Sequence, residues 1–584
     1  RKFNLLKFNM EKNSNLKNFS KEWLTLFEKS HQQKSPDYED TISYFKKFTD
    51  KTPYAKMFTL GISPQGREIK CLVISNNQEF SAEQAKKSKK AIVLIQNGIH
   101  AGEIEGKDAC MLLLREILVT KEKFNLLKNL ILLIIPVFNV DGHERLSPFN
   151  RPNQSGPTMM GWRTTSHNLN LNRDFMKADS PEMKAWLKLF SEWLPDFVID
   201  THTTNGADYQ YHITYGLERH ANISPLLSEW IKTKYLPSLI KNVERDGFLI
   251  TRYIEFKEDK ITDGLIDYPM SPRYSTGYLA VQNRICLLVE THSLKPFSNR
   301  VFSTKSIITH TLDFINRNHL ELTTLNKKAD SATISYHIKK RKVLPIDFEG
   351  TGEYQNLSFK GYESYEEFSE ITGNNILKYS KNPVEFDVPL FNKSRIKNAV
   401  SVPYAYLVPK EFSYLTEILQ LHGINFKTLP SAHEVFVEKY KFVNVNFAPS
   451  PYEGRQQVKF NIVPFEETVI LSEGCIVVPT NQRTLRVIVN LFEPMAPDSF
   501  ARWGFFNSFF ERKEYAEPFV MEPIAKEMLR TDSKIRKEFY ATLESDENFK
   551  NNPLERLDFF YRNSPYFDKS LNIYPIMRTH QKIT

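Results

Sequence analysis

The sequence predicts an α/β fold: a mixed, mostly parallel sheet with helices on both faces, followed by a C-terminal α+β region. Three observations lead there. Strand-like and helix-like segments alternate through the first half, as they do when helices cross over a sheet. Strand candidates such as "AIVLI" (91–95) and "LILLIIPVF" (130–138) are continuously apolar, as strands covered on both faces are. From about residue 325 the texture shifts to short strand-like pieces with helical ones mixed in.

In order, residues 22–48 read as helices. "MFTLG" and "EIKCLVIS" flank "ISPQGR", a hairpin pattern. Strand 91–96, helix 105–119, strand 130–138, helix 181–193 and strand 196–201 follow. Helical 224–246, strands 248–256 and 285–291 and helix 304–317 close the unit. Two long polar loops, 139–175 and 257–284, interrupt it, and loops of that length in a compact domain are usually functional. Beyond them "LPIDFEG", "VEFDVPLF", "AYLVP", "VEKYKFVNV", "QVKFNIVPFEETVIL" and "CIVVP" read as strands, and "FSYLTEILQLHG" and "EPIAKEMLR" as helices. The expected division is a first domain over 1–325 and an accessory α+β region over 326–584, built as one unit or two small subdomains. Asp498, Trp503 and Glu511 stand out in "PDSFARWGFFNSFFERKEY"; an aromatic packing helix is the expectation there, ahead of a site.

Composition narrows the class. With 584 residues the chain can hold two or three domains. Hydrophobic residues at 41% and charged ones at 25% fit a soluble globular protein, and 43 phenylalanines imply large buried surfaces. The net charge of +9 is small for this length, and no Lys/Arg stripe with interleaved aromatics argues for a nucleic-acid partner. "KKSKK" (86–90) and "HIKKRK" (337–342) read as solvated loops or strand ends. No stretch approaches the roughly 20 apolar residues of a membrane span. The chain opens at Arg1, so a processed or trimmed start is expected, and a signal peptide could have been lost there. Cys71, Cys110, Cys286 and Cys475 each sit among aliphatics, which predicts buried free thiols rather than disulfides or a CxxC metal site.

The chemistry concentrates at strand ends. In "QNGIHAGEIEGKDAC" (96–110) an apolar run ends in a polar turn holding His100 and Glu103. A histidine and a carboxylate three apart can share a metal ion; equally, a helix begins here and Glu103 favours its positive N-terminus. Catalytic zinc commonly takes three protein ligands and keeps one position for water. His202 ends the apolar strand in "DFVIDTHTTNGADYQYH" (196–212), at the kind of strand terminus that lines a ligand crevice in an α/β sheet, although it also reads as an exposed strand-end histidine. In "NRICLLVETHS" (283–293) a buried strand ends at Glu290. Such a carboxylate is costly unless paired or working, and an activated water needs a general base. His292 reads as an outer or structural group. "GWRTTSHNLNLNRDF" (161–175) brings Arg163, Asn172 and Arg173 into the first long loop; arginine forks bind carboxylates, and a phosphate site or a surface salt bridge are the other readings.

Taken in order, "HAGE", "NVDG", "WR", "NLNRDF", "DTHT" and "VETHS" resemble the M14 zinc carboxypeptidase family, in a large bacterial type with a C-terminal accessory region. The resemblance covers roughly residues 40–320. It implies a carboxypeptidase-like fold and one Zn²⁺ per chain on His100, Glu103 and His202. It makes Glu290 the general acid/base, Arg163 the group that polarises the scissile carbonyl, and Asn172 with Arg173 the pair that holds a substrate's terminal carboxylate. Asn170 stands where family members often carry an aspartate bonded to the first zinc histidine, a change that would alter that histidine's basicity. The family's substrate-capping tyrosine has no clear match among Tyr268, Tyr274 and Tyr278, and Arg273 in the same loop could meet an acidic substrate. The implied activity is a metallocarboxypeptidase acting on peptides. An amidase on cell-wall-type peptides and a non-catalytic binder of peptide ends on the same scaffold are the alternatives. A periplasmic or extracellular setting is implied, and the oligomeric state is not readable.

Overall fold

The computed structural model describes residues 21–204, 207–336 and 343–583; the basic piece 337–342 lies outside them. Strands β1 (Ala55–Ile62), β2 (Glu68–Ile74), β3 (Ala91–Asn97), β4 (Leu130–Ile135), β5 (Phe197–Thr204), β6 (Ile213–Gly216) and β7 (Ile250–Arg252) precede two short ones, β8 (Glu255–Phe256) and β9 (Leu265–Ile266), and then β10 (Ile285–His292). Eight of them form one sheet, ordered β1-β2-β4-β3-β5-β10-β6-β7. Its centre, β4-β3-β5-β10, is parallel, and antiparallel β1-β2 is the hairpin the turn "ISPQGR" predicts. The sheet is therefore mixed and mostly parallel at its centre, as expected.

The unbroken apolar runs follow from burial on both faces. Alternate residues of a strand point to opposite sides. Ile92, Leu94, Ile131 and Leu133 enter one core, with Met183, Trp186 and Phe190 of the helix Pro181–Trp193. Val93, Ile95, Leu130 and Leu132 enter the other, with Met111 and Leu114 of the helix Glu105–Leu114 and Ile308 and Leu312 of the helix Phe297–Ile334. The first core does not stop at the first half: Tyr406, Val408, Leu485, Ile488 and Phe492 belong to the same cluster.

The C-terminal region is α+β. Strands β11 (Val343–Gly350), β12 (Gln355–Ser369), β13 (Asn374–Phe391), β14 (Ser394–Ser401), β15 (Ala405–Val408), β16 (Lys427–Thr428), β17 (His433–Phe447), β18 (Val458–Leu471), β19 (Ile476–Pro479) and β20 (Met577–Thr579) run through it. A six-stranded sheet is ordered β16-β19-β15-β20-β17-β18, and β12-β13 joins β9-β8 of the first half in a four-stranded sheet. Four helices between Pro518 and Asn563 close over their own core of Met521, Phe539, Phe549 and Phe560.

Several elements differ from the sequence reading. The helix expected at 304–317 spans Phe297–Ile334, through residue 325, with non-helical backbone at Asn318. The strand expected at 248–256 splits into β7 and β8. The helix expected at 105–119 is α-helical to Leu114 and continues as a π-turn over Arg115–Val119. No packing helix forms in "PDSFARWGFFNSFFERKEY": turns and a short 3₁₀ segment, Asn507–Phe510, replace it, consistent with Gly504 at φ +78. Phe500, Trp503 and Phe506 are buried there all the same, Trp503 at 1% exposure. All four cysteines are buried free thiols. No helix among the described residues is long and apolar enough to cross a membrane.

One close approach fixes the helix that follows the site. A Cβ on Gly106 would lie 2.1 Å from Thr201 Oγ1 and 2.2 Å from Asn97 Oδ1, so the start of Glu105–Leu114 presses directly on β3 and β5. Gly106→Ala should therefore destabilise the protein. Overpacking costs about 1–3 kcal/mol, more than the roughly 0.5–1 kcal/mol that alanine gains over glycine in a helix. Urea unfolding monitored by circular dichroism should show the lower midpoint.

Candidate active site

β3 ends at Asn97, and Gly98 turns the chain with φ +67. The Glu103 N–H then donates to the His100 carbonyl at 2.9 Å, a tight turn that brings both side chains together. Glu105, the first residue of the next helix, fixes this turn to the sheet: its carboxylate accepts from Arg300 Nε at 2.6 Å and from Thr203 Oγ1 at 2.7 Å. On β5, Asp200 and His202 share a face, as residues two apart must. On β10, Glu290 lies in register with His202.

These elements bring three acceptor atoms to one point. His100 Nδ1 lies 3.2 Å from Glu103 Oε2 and 3.2 Å from His202 Nδ1, and His202 Nδ1 lies 3.0 Å from Glu103 Oε2. The other ring nitrogens face acceptors too: His100 Nε2 has Asn170 Oδ1 at 3.0 Å, and His202 Nε2 has Asp200 Oδ2 at 2.9 Å. Each Nε2 thus has reason to carry the ring proton, which leaves both Nδ1 lone pairs aimed at a carboxylate oxygen. Three lone pairs converging in a buried place call for a cation. Ligands about 2.0–2.2 Å from a tetrahedral zinc lie roughly 3.3–3.5 Å apart, close to the triangle seen here. Among the described residues this is the only such group of three. The residues fit zinc.

The electrostatics agree. Burial pushes the His100 imidazole down to about 4, so it stays neutral. Against burial, Asp200 and then Glu103 raise His202 well above the ordinary histidine value. Burial also opposes ionisation of Glu103, but His100 and Arg151 hold it well below the usual carboxylate range. This neighbourhood retains positive charge, and a divalent cation can take the proton's place. Burial pushes Glu290 up to about 8; Glu103 and Asp200 add to the rise, and His202 and Arg163 oppose it. A bound cation would draw that value back down.

The arginines surround this centre. Arg163 Nη1 is 3.4 Å from Glu103 Oε1, and Arg151 Nη2 is 2.9 Å from the same oxygen. Asn170 accepts the Asn172 N–H at 3.0 Å, opening the 3₁₀ turn Leu171–Arg173. Asn172 Oδ1 accepts the Ser275 N–H at 3.1 Å, which leaves its amide donors available. Arg173 lies over the Tyr274 ring at 4.4 Å, donates from Nη1 to the Asn172 carbonyl at 2.7 Å, and donates from Nε to the Tyr452 hydroxyl at 3.0 Å.

With this geometry in view, the relatives can be placed. Residues 41–207 match the model of the peptidase M14 family, zinc carboxypeptidase. The chain carries a zinc carboxypeptidase domain of that family. Carboxypeptidase 2 of Trichophyton rubrum is 22% identical over 472 residues, spanning 76% of this chain and 78% of that protein. Carboxypeptidase 2 of Trichophyton equinum is 21% identical over the same length and shares. Among solved structures, a metallo-carboxypeptidase from Burkholderia cenocepacia aligns at 16% identity over 48% of this chain and 69% of its own, with a TM-score of 0.36. Carboxypeptidase A from Helicoverpa armigera aligns at 18% identity over 49% and 74%, also at 0.36. The family match spans His100, Glu103, Arg163, Asn172, Arg173 and His202 and ends before Glu290. A carboxypeptidase domain of this kind is a zinc metallopeptidase, a hydrolase.

Other groups in the carboxypeptidase site were not singled out from the sequence. Asp200 had a readable signal, a carboxylate two residues from a histidine on one strand. Tyr253 had none: burial raises its phenol, and the charges of Glu290, Glu255 and Glu103 raise it further. Tyr268 instead lies against Gly350, and Tyr278 is buried on His422 and Gln282. Arg273 is not free for an acidic substrate, because its Nε donates to buried Asp498 at 2.6 Å. His292 lies under Tyr209 and contacts Asp208 at 3.1 Å, a structural place.

Metal analysis of the purified chain should find one zinc, lost on His202→Ala without unfolding. Asp200→Asn should keep the site but weaken zinc affinity about 10–100-fold, as changes to the partners of zinc ligands do. A competitive chelator titration reads both.

Proposed function

We propose that this chain is a metallocarboxypeptidase that removes residues from the free C-terminus of peptides, with Zn²⁺ held by His100, Glu103 and His202. The observation that carries the reading is the triangle of three buried lone pairs beside a buried carboxylate, Glu290, that no hydrogen-bond donor among the described residues holds. Zinc supplies a Lewis acid that acidifies water and polarises a carbonyl. Glu290 takes the proton of the attacking water and returns it to the leaving amine. Burial suits it to both tasks by raising its proton affinity. Arg163 brings positive charge to the carbonyl oxygen as negative charge develops there. Asn172 and Arg173 receive the substrate's carboxylate: Arg173 has Nε and one Nη1 proton engaged, so three of its five N–H groups remain.

In this reading the chemistry belongs to residues 1–325, and 326–584 is accessory. A periplasmic or extracellular setting is part of the proposal. A binder without turnover has no use for a poised base, and Glu290 is set in register with the ligand strand.

Glu290→Gln should keep zinc and substrate binding and lose about 10²–10⁴ in rate; turnover near the wild-type value would return Glu290 to a structural role. Arg173→Ala should lower kcat/KM for free-acid peptides by about two orders of magnitude, since a charge-assisted contact in a partly buried site is worth about 2–5 kcal/mol. Amidated peptides should be poor substrates for the wild type and unaffected by the change. Equal cutting of a matched acid and amide by wild type would mean that side chains, not the carboxylate, choose the bond.

A further inference from the structure

The strongest feature the proposed mechanism leaves unused is a turn from the C-terminal region that reaches the site. Tyr452 and Arg455 exchange backbone hydrogen bonds of 2.9 and 3.1 Å, with Glu453 at φ +50 and Gly454 at φ +74 between them. Both central residues are thus left-handed, as in the tightest hairpin turns. A non-glycine residue rarely holds that conformation unless its surroundings fix it. Here they do: Glu453 Oε2 accepts the Asn170 N–H at 2.8 Å, and Arg455 grips Asp179 with two bonds of 2.6 and 2.7 Å. Asn170 is itself the residue that faces His100.

Tyr452 goes further into the site. Its ring stacks on buried Trp503, with centroids 6.0 Å apart and planes 8° from parallel. Arg273, pinned by Asp498, covers the Trp503 face at 4.8 Å. The phenol so fixed accepts from Arg173 Nε. Arginine can swing about its long stem, and its fork is useful only if the Nη edge faces the ligand. Tyr452 on Nε and Tyr274 under the guanidinium plane restrict that swing and leave the Nη edge presented.

We propose that Tyr452 is a positioning residue for substrate recognition: the C-terminal region, through this turn, orients Arg173 toward the terminal carboxylate of the peptide. The inference rests on the carboxylate-reading role of Arg173 given above.

The test compares full-length, zinc-loaded wild type and Tyr452→Phe on one peptide prepared as free acid and as amide. Phenylalanine keeps the stack on Trp503 and removes only the hydroxyl. KM for the free acid should rise about tenfold or more, the scale of a lost hydrogen bond to a charged group. kcat, kcat/KM for the amide, zinc content and melting temperature should stay at wild-type values. In an Arg173→Ala background, Tyr452→Phe should add nothing, because the two changes remove one interaction. A wild-type KM for the free acid in Tyr452→Phe overturns the inference and leaves the Arg173 reading intact. Equal losses on acid and amide, or a loss that persists without Arg173, also overturn it by marking a merely structural role. A wild type that does not distinguish acid from amide removes the carboxylate reading and this inference with it.

Discussion

Three carboxylates, Glu103, Asp200 and Glu290, are buried at one end of the central sheet, and each acts on the proton equilibria of the others or of the histidines between them. Buried like charges are tolerable only if something positive stands among them. The His202 imidazole and two guanidinium groups begin that compensation, and a divalent cation would complete it. Much of the neighbouring structure keeps the cluster from relaxing apart. Arg300 and Thr203 tie Glu105, hence the turn that carries His100 and Glu103. The Thr203 N–H donates to Glu103 Oε2 at 3.0 Å, so the ligand oxygen is held by the same strand that supplies His202. Gly106 allows the following helix to press on β3 and β5.

What was legible in the sequence was what a local pattern can encode. β3, β5 and β10 announce themselves as apolar runs, and polar groups at or shortly after their ends are the ones that meet. The parallel register then does the assembly: His202 and Glu290 are neighbours because their strands are. Asn172 and Arg173 were readable for a similar reason, being packed into one short turn. Helix length was less legible. The expected end at 317 falls at the non-helical backbone of Asn318, but the start at Phe297 and the second helical stretch on to Ile334 were not read.

Tertiary choices were not legible. No capping tyrosine stood out among Tyr268, Tyr274 and Tyr278, and the chain path sends Tyr268 to Gly350, Tyr278 to His422 and Tyr274 under Arg173. The aromatic run around Trp503 carries the hydrophobicity of a packing helix, and its backbone turns instead; its rings still pack, on Tyr452 and beneath Arg273 and Lys177. Tyr452 itself sits in an ordinary-looking "PSPYEGR", and only the shared core of the two halves brings it to Arg173.

That shared core has a bearing on how the molecule is made. The ribosome delivers His100 and His202 long before it delivers Tyr452, on the order of tens of seconds at ordinary elongation rates. During that interval the nascent chain holds the three residues of the candidate metal site, but the hydroxyl proposed to aim Arg173 has not yet been synthesised. On the proposed reading, competence to read a peptide terminus arrives late, after the C-terminal half has emerged and packed against the sheet. A hydrolase built in this way would become a substrate reader only as its two halves finish packing together.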